Sequence, residues 1–423
     1  MRFQADAYVR LFAIASFRRF WLGFALSSVG DAMARVALIW YVLEQTDSAR
    51  AVGFLTLAYT GPILIGGLVA GVLLDRYDRR KVMAIDNLAR GAAMLLIPLL
   101  HLTGQLEVWH AYVAAGVFGS LMMISLAGSP SLVPSIVPRE QLTAANAFET
   151  LGYTVAGVAG PPLAGLLIAL IGAPHVLLLD GLSYLVFAAA LVTVRYLPGE
   201  EPRSPGPGAD RSATSLSAAL RLVRYDRVLL STTLMYMVLN VGLGAAFVWL
   251  PIYVDRTLGG DAGLFGLLLG SMAVGQTLSS IAAVGVNRWL PLGTLICLAG
   301  FLGGLAYLPL LTGVTAVALI ALLLFGALTA PLTIWAQTLR MEIIPANMRG
   351  RTFALLRMLM QGTQPLGGAL GGFLLPLVGV GAMIGLSAAL ISGASAAASR
   401  VHELRVAGPV AAPADPQPCC GYD

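Results

Sequence analysis

Hydrophobic positions along this chain neither alternate with polar ones nor form narrow stripes. They come as long continuous runs separated by short polar loops. A run of about 20 apolar residues crosses a hydrocarbon core of roughly 30 Å as an α-helix. Read with that window, spans fall at 20–43, 51–74, 82–103, 108–128, 145–172 and 174–196, then at 228–250, 262–286, 290–311, 315–338, 353–378 and 380–398. A strand-built barrel would show segments of about ten residues alternating apolar and polar. Continuous runs instead predict helices, which satisfy their backbone hydrogen bonds internally. The expected fold class is an all-α membrane protein, with twelve transmembrane helices in two six-helix repeats.

The two groups of six are separated by PGEEPRSPGPGADRSATS, rich in Pro, Gly and Ser, and by an amphipathic stretch from Leu216 to Arg227 with three arginines. That stretch is expected to lie on the membrane surface. The domains are therefore a cytoplasmic segment 1–19, a first half 20–196, a linker 197–227, a second half 228–398 and a disordered cytoplasmic tail 399–423. The halves echo each other. Asp75-Arg76 recurs as Asn287-Arg288, offset by 212; the segment at Pro138 recurs at Pro345, offset by 207; Pro162-Leu163 recurs as Pro365-Leu366, offset by 203. Landmarks in one order at near-constant spacing indicate a duplicated six-helix unit, a plan that places a substrate site between the halves.

Composition changes the picture in one direction only. The chain is 58% hydrophobic and 11% charged, with a mean hydropathy of +0.82, whereas soluble domains are about a quarter charged. Its net charge of +5 does not mark a nucleic-acid partner, because the cations are spread over alternate loops. Twenty-two basic residues fall on the side of both termini, against Arg50 and Arg256 on the other, with Arg35 and Arg90 inside helices. The positive-inside rule then predicts both termini in the cytoplasm of a plasma-membrane protein. No cleavable signal peptide is expected from the polar first 19 residues. Lys81 is the only lysine, so there is no phosphate-binding GxxxxGK[ST] loop and no ATP-driven cycle within this chain. Neither HExxH nor GxSxG occurs, and the four histidines and three cysteines lack ligand spacing, so no enzyme, cofactor or metal is expected.

The sharpest local signal is GVLLDRYDRRK, Gly71 to Lys81. Gly71 permits close helix contact, Asp75 can cap or pair at the membrane face, and Arg76, Arg79, Arg80 and Lys81 can hold headgroups. Asp31 and Arg35 sit mid-span, where an ionised residue costs about 2.5–3.5 kcal/mol on insertion scales. Four residues apart, they can form a structural ion pair; equally, Asp31 can be the group that takes and releases a proton. Asp86 and Arg90 repeat the spacing near the cytoplasmic end, where structure is the favoured reading. Asp180 is expected at the opposite interface. In GVAGPPLAG, Gly157, Gly160 and Gly165 allow helices to approach, while Pro161 and Pro162 free carbonyls and bend the helix. Met123, Tyr236, Asn240, Trp335, Gln361 and Gln364 are candidates for an apolar cavity with a few polar handles.

The Gly71–Lys81 segment resembles the G-x-L-x-D-R-x-G-R-[RK] signature of the major facilitator superfamily, with Asp78 where that signature has glycine. Together with LSSVGDAMARVALIWYVLEQTDSARAVGFL, it is similar to the drug/proton antiporter branch that contains macrolide efflux proteins and the enterobactin exporter. The likeness covers roughly residues 15–398. It implies that Asp75, Arg76 and Arg79 lock one access state, and that GVAGPPLAG corresponds to an antiporter motif. The function expected is proton-coupled export of a lipophilic or amphipathic small molecule such as a drug, a macrolide-like compound or a siderophore. The partners expected are that substrate, the proton gradient and the lipid bilayer, with a monomer as the working unit. Import on the same fold, or a non-transporting scaffold or sensor, remain the alternatives.

Overall fold

The computed structural model describes residues 9–198, 216–286, 290–345 and 348–408. Among these, eleven helical segments are long and apolar enough to cross a membrane. The last of them, Thr352–Ala398, is 47 residues long, and Gly379 interrupts it at φ 78, ψ 167. That conformation is open to glycine and poorly tolerated by residues with a Cβ. One long segment is thus two spans joined by a hinge, which makes twelve.

The first half comprises α1 (Ala15–Thr46), α2 in two pieces (Ala49–Thr60 and Ile63–Arg76), α3 (Arg79–Leu102), α4 (Val108–Leu132), α5 (Leu142–Ile171) and α6 (Ala173–Thr193). The second comprises α7 (Arg227–Arg256), α8 (Ala262–Val286), α9 (Leu292–Leu305) and α10 (Thr315–Ile343). It is completed by α11, which is Arg349–Gln361 continued by 364–378, and α12, 380–398. Side-chain caps start several helices: Ser48 accepts from the Ala51 N–H at 3.4 Å, Asp226 from Leu229 at 2.8 Å and Asp261 from Leu264 at 3.0 Å. Helix α2 breaks at Gly61-Pro62, where proline supplies no N–H to the ladder.

Large apolar side chains such as Ile65, Leu170, Val192 and Leu377 point outward, at 69–75% exposure. In water this would be a defect; in a bilayer it is the solvated face, which is why the spans show little amphipathic pattern. The amphipathic helix Leu216–Tyr225 differs. It buries Ala219 and Val223 against Leu229, Ile344, Leu355 and Leu356, so one face rests on the second half.

Within the first half α1 packs on α5 and α6, α2 on α4, and α3 on α4 and α6. The second half repeats this plan, with α7 against α11 and α12, α8 against α10, and α9 against α10 and α12. Two principal contacts join the halves, α5 with α8 and α2 with α11, and exchanging the halves converts one into the other. Both are tightest near the face opposite the chain ends, here called the far face. A Cβ at Gly266 would collide with the Pro161 carbonyl oxygen, and one at Gly165 with that of Ala262. On the other side a Cβ at Gly53 would stand 2.8 Å from the Gly372 Cα. An ion pair adds to this seal: Arg256 Nη2 donates to the Asp47 carboxylate at 2.6 Å and to its carbonyl at 2.8 Å. Toward the near face the helices separate, and a Cβ at Gly157 would find nothing closer than Ala273, 4.0 Å away. The molecule is sealed at the far face.

Candidate functional site

Beneath the far seal lies a cavity of about 160 Å³ between the halves. Its wall is mostly apolar: Leu38 and Ile39 from α1, Leu55 and Ile63 from α2, and Met122, Met123 and Leu126 from α4. The second half adds Phe247, Gln361 and Gln364. Thr56, Tyr59 and Thr60 contribute hydroxyls, but Thr56 and Thr60 spend theirs on carbonyls one turn back at 2.9 and 2.6 Å, and the Tyr59 hydroxyl contacts the Met122 sulfur at 3.5 Å. Arg35 is the one charged side chain among the described lining residues. Of the sequence candidates, Met123, Gln361 and Gln364 stand on this wall. Tyr236 and Trp335 belong instead to a buried cluster within the second half, with the Tyr236 hydroxyl donating to the Leu332 carbonyl at 3.0 Å. Asn240 donates to the Tyr236 carbonyl at 2.8 Å. Tyr236 shares a face of α7 with Phe247 but lies about three turns away along the helix, where its own half covers it.

Beside the cavity α1, α3, α4 and α6 bring together a charge network. Arg90, with a side chain 2% exposed, holds Asp86 bidentately: Nε donates to Oδ1 at 3.0 Å and Nη2 to Oδ2 at 2.7 Å. Its remaining donors reach the Ser125 hydroxyl at 2.6 Å and the Tyr184 hydroxyl at 3.1 Å. Ser125 donates in turn to Asp86 at 2.7 Å. Tyr184 donates to Asp31 at 2.5 Å, and Asp31 lies 3.7 Å from Arg90 Nη1. A guanidinium is suited to this because its five donors radiate in one plane.

Three expectations need correcting here. Asp31 pairs with Arg90 and Tyr184 on neighbouring helices, whereas Arg35 lies with its guanidinium 5.9 Å from the Tyr59 ring centre and its Nε buried without a hydrogen-bond partner. Four-residue spacing permits a pair, but tertiary neighbours with better geometry took the carboxylate. Asp86 and Arg90 do not snorkel to an interface; they form the buried centre, because α6 and α4 cover that face of α3. Asp180 is not interfacial either. It is fully buried, both carboxylate oxygens lack a hydrogen-bond partner among the described residues, and it packs against Gly30. Asp31 is the carboxylate of the network with appreciable exposure, 27% against 0% for Asp86.

The Gly71–Lys81 loop is anchored by two signature cations, Arg79 and Arg80, and by Asp78, which stands where the signature has glycine. Asp78 caps α3 through the Arg80 N–H at 2.9 Å and also accepts from Arg80 Nη2 at 3.1 Å and the Tyr196 hydroxyl at 2.6 Å. Arg80 Nη1 donates to the Val194 carbonyl at 2.6 Å, and its guanidinium stacks 4.0 Å over Tyr196. Arg79 donates to the Ser131 carbonyl at 2.7 Å. Burial pushes the Asp78 carboxyl up, but the bonds from Arg80 and Tyr196 outweigh it and hold Asp78 below its ordinary value. Tyr196 is pushed up to about 12 by its own burial and by donating to Asp78. Arg76 is exposed, and the Asp75 side chain lies outside the described residues, as does the Asn287-Arg288 echo. Gly71 has nothing within 4 Å of where a Cβ would stand, so close helix approach is not its role here. In GVAGPPLAG the close approaches are real: a Cβ at Gly160 would stand 2.5 Å from the Ala32 Cβ, and Gly165 and Pro161 make the α8 contact.

Sequence reasoning missed Tyr184, Ser125 and Tyr196. Asp180 and Tyr184 do share one face of α6 at four-residue spacing inside an apolar run, a signal that could have been read. Nothing along the sequence marks Ser125 or Tyr196.

Three comparisons bear on this architecture. Macrolide efflux protein A of Streptococcus pyogenes is 24% identical over 92% of this chain and 96% of its own length. The multidrug efflux pump Tap of Mycolicibacterium fortuitum is 23% identical over 84% of this chain and 88% of its own. The solved nucleoside transporter NupG superposes with a TM-score of 0.74 at 11% identity, covering 91% of this chain and 99% of its own, which shows the shared fold. Residues 9–416 match the family described as transmembrane secretion effectors. With twelve helices in two equivalent halves around a central cavity, the chain belongs to that family of multi-pass transporters in the major facilitator superfamily.

Proposed function

We propose that this protein is a proton-coupled exporter of lipophilic or amphipathic small molecules, working as a monomer with its near face and both termini in the cytoplasm. The observation that carries the reading is a largely apolar cavity between the halves beside a buried charge network, whose Asp31 lies on α1 one turn from the lining residue Arg35. Apolar walls with few polar handles suit a lipophilic cargo, whereas ions and simple sugars need denser polar ligation. The efflux names of the two relatives support the outward direction. With the far face sealed, cargo enters from the near face. Opening the far seal while closing the near side completes alternating access.

In this reading Asp31 carries the proton. Its exposure lets a proton reach it, and Arg90 and Tyr184 hold its charged form when the proton leaves. The Gly71–Lys81 loop closes the near side, with Asp75, Arg76 and Arg79 as its lock, so Asp75→Ala shifts the balance of access states and leaves cargo binding intact.

Cells with and without the protein, loaded with a panel of lipophilic compounds, test the proposal. Expression should lower accumulation of at least one compound, and both a protonophore and Asp75→Ala should erase the difference. Raised accumulation would make the protein an importer, and no gradient dependence with any cargo would return it to the scaffold reading. A reporter active only in the cytoplasm, fused after Arg405, should be active; silence would reverse the orientation.

A further inference from the structure

The charge of the cavity wall is the feature that the proposed function leaves unused. Many lipophilic compounds are cations, and a site built for them presents a carboxylate or an open aromatic cage to the ligand. This cavity does the reverse. Its one charged residue among the described lining is Arg35. The carboxylates of the network are already engaged: Asp31 accepts from Tyr184 and faces Arg90, and Asp86 is held bidentately by Arg90. The hydroxyls of Thr56 and Thr60 donate to their own helix. Across the cavity, Gln361 and Gln364 offer amide groups from the second half.

Arg35 itself is under-used. Its Nε is buried with no hydrogen-bond partner, and its guanidinium makes no ion pair within 4 Å among the described residues. With Nε buried, the terminal nitrogens of Arg35 are the atoms a ligand acceptor in the cavity can reach. A guanidinium in an apolar cavity also binds carboxylates through two parallel bonds.

We infer that Arg35 is the charge-selecting residue of the cavity, and that the cargo it favours is an amphipath with an acidic group on a lipophilic body, lipophilic cations being disfavoured. The inference rests on the cavity being the cargo site. The acidic group docks on Arg35, the apolar body lies along Leu38, Met122 and Met123, and Gln361 or Gln364 reaches it from the other half, so that cargo bridges both halves. An anionic cargo also leaves a cell down an inside-negative potential, so its export demands less of the proton gradient.

Binding to detergent-solubilised full-length protein tests this without depending on direction or coupling. The probes are one aromatic amphipath in three forms: the carboxylate, its methyl ester and the trimethylammonium analogue. A charge-assisted bond is roughly twice as strong as a neutral one, so the carboxylate should bind about tenfold tighter than the ester, a difference of about 1.4 kcal/mol, and the ammonium form weakest. Arg35→Gln should level carboxylate and ester, while Arg35→Lys should keep part of the preference. The order of the three probes on unmodified protein stands even if a variant folds poorly. Equal or tighter binding of the ammonium form, or a carboxylate preference that survives Arg35→Gln, overturns the selectivity and leaves the export proposal standing. Binding of no probe at all overturns the cavity as the cargo site, and the export proposal loses its carrying observation too.

Discussion

Replacing Asp31 with asparagine separates proton carrying from structural support, because the network around it fixes what each substitution leaves behind. In Asp31→Asn the new amide oxygen can still accept from Tyr184, and Arg90 keeps its bidentate partner Asp86. What is lost is the difference between a bond to a charged acceptor, about 1.5–3 kcal/mol, and one to a neutral acceptor, about 0.5–1.5 kcal/mol. Removing a partly desolvated charge offsets part of that, so the net destabilisation should be near 1 kcal/mol or less. Arg90→Gln is the contrast. It strands Asp86, whose side chain is 0% exposed, and takes the cation from Asp31. Breaking a buried pair from one side costs about 3–5 kcal/mol. The assay has two readouts: thermal unfolding of purified protein, and transport in proteoliposomes with and without an imposed pH gradient. Asp31→Asn should unfold close to the unmodified protein, lose accumulation against a concentration gradient and retain exchange at equilibrium; Arg90→Gln should unfold far earlier. Normal uphill transport by a well-folded Asp31→Asn would refute the proton role. A loss of stability as large as that of Arg90→Gln would make Asp31 structural.

Three further outcomes follow from the same geometry. Gly266→Val drives a Cβ into the Pro161 carbonyl oxygen, so the far face should be forced open; labelling of an added Ala49→Cys by a membrane-impermeant maleimide should rise, and unchanged labelling would contradict the seal. Arg256→Ala removes a pair whose side chains are 49% and 78% exposed, so its effect on the same readout should stay within about 1 kcal/mol, or about fivefold in population. Asp78→Asn should lower the melting temperature by a constant amount from pH 8 down to about pH 4. Because the folded Asp78 titrates below its ordinary value, the stabilisation is full above the unfolded pKa and fades as pH falls through the folded one, so the gap between the two proteins should close only in stronger acid.

How much of this was legible without coordinates depended on the range of the interaction involved. Span number, duplication and charge bias are local or averaged quantities. A 20-residue apolar run must be helical in a bilayer whatever surrounds it, and the division between the spans 353–378 and 380–398 falls on the non-helical Gly379; the break at Gly61-Pro62 was not read, because the run 51–74 stays apolar through it. The close approaches of Gly160 and Gly165 were likewise readable, since small residues repeated on one helix face ask for a neighbour, though not which neighbour.

Partnership was decided by the tertiary fold. Asp31 and Arg35 have spacing suited to pairing, yet Asp31 turns to Arg90, 59 positions away in the chain, and to Tyr184. Inside a membrane nearly every span is apolar all round, so the sequence has no stripe to say which face meets the other half and which meets lipid. That ambiguity explains why Asp86, Arg90 and Asp180 looked peripheral, and why Tyr236 and Trp335 looked like cavity residues as readily as Gln361 and Gln364. The sequence by itself determined the membrane topology expected and the inventory of charges, because those follow from solvation along each helix. Only the packing of helix against helix decided that one arginine is neutralised by two carboxylates while another is left facing a cavity.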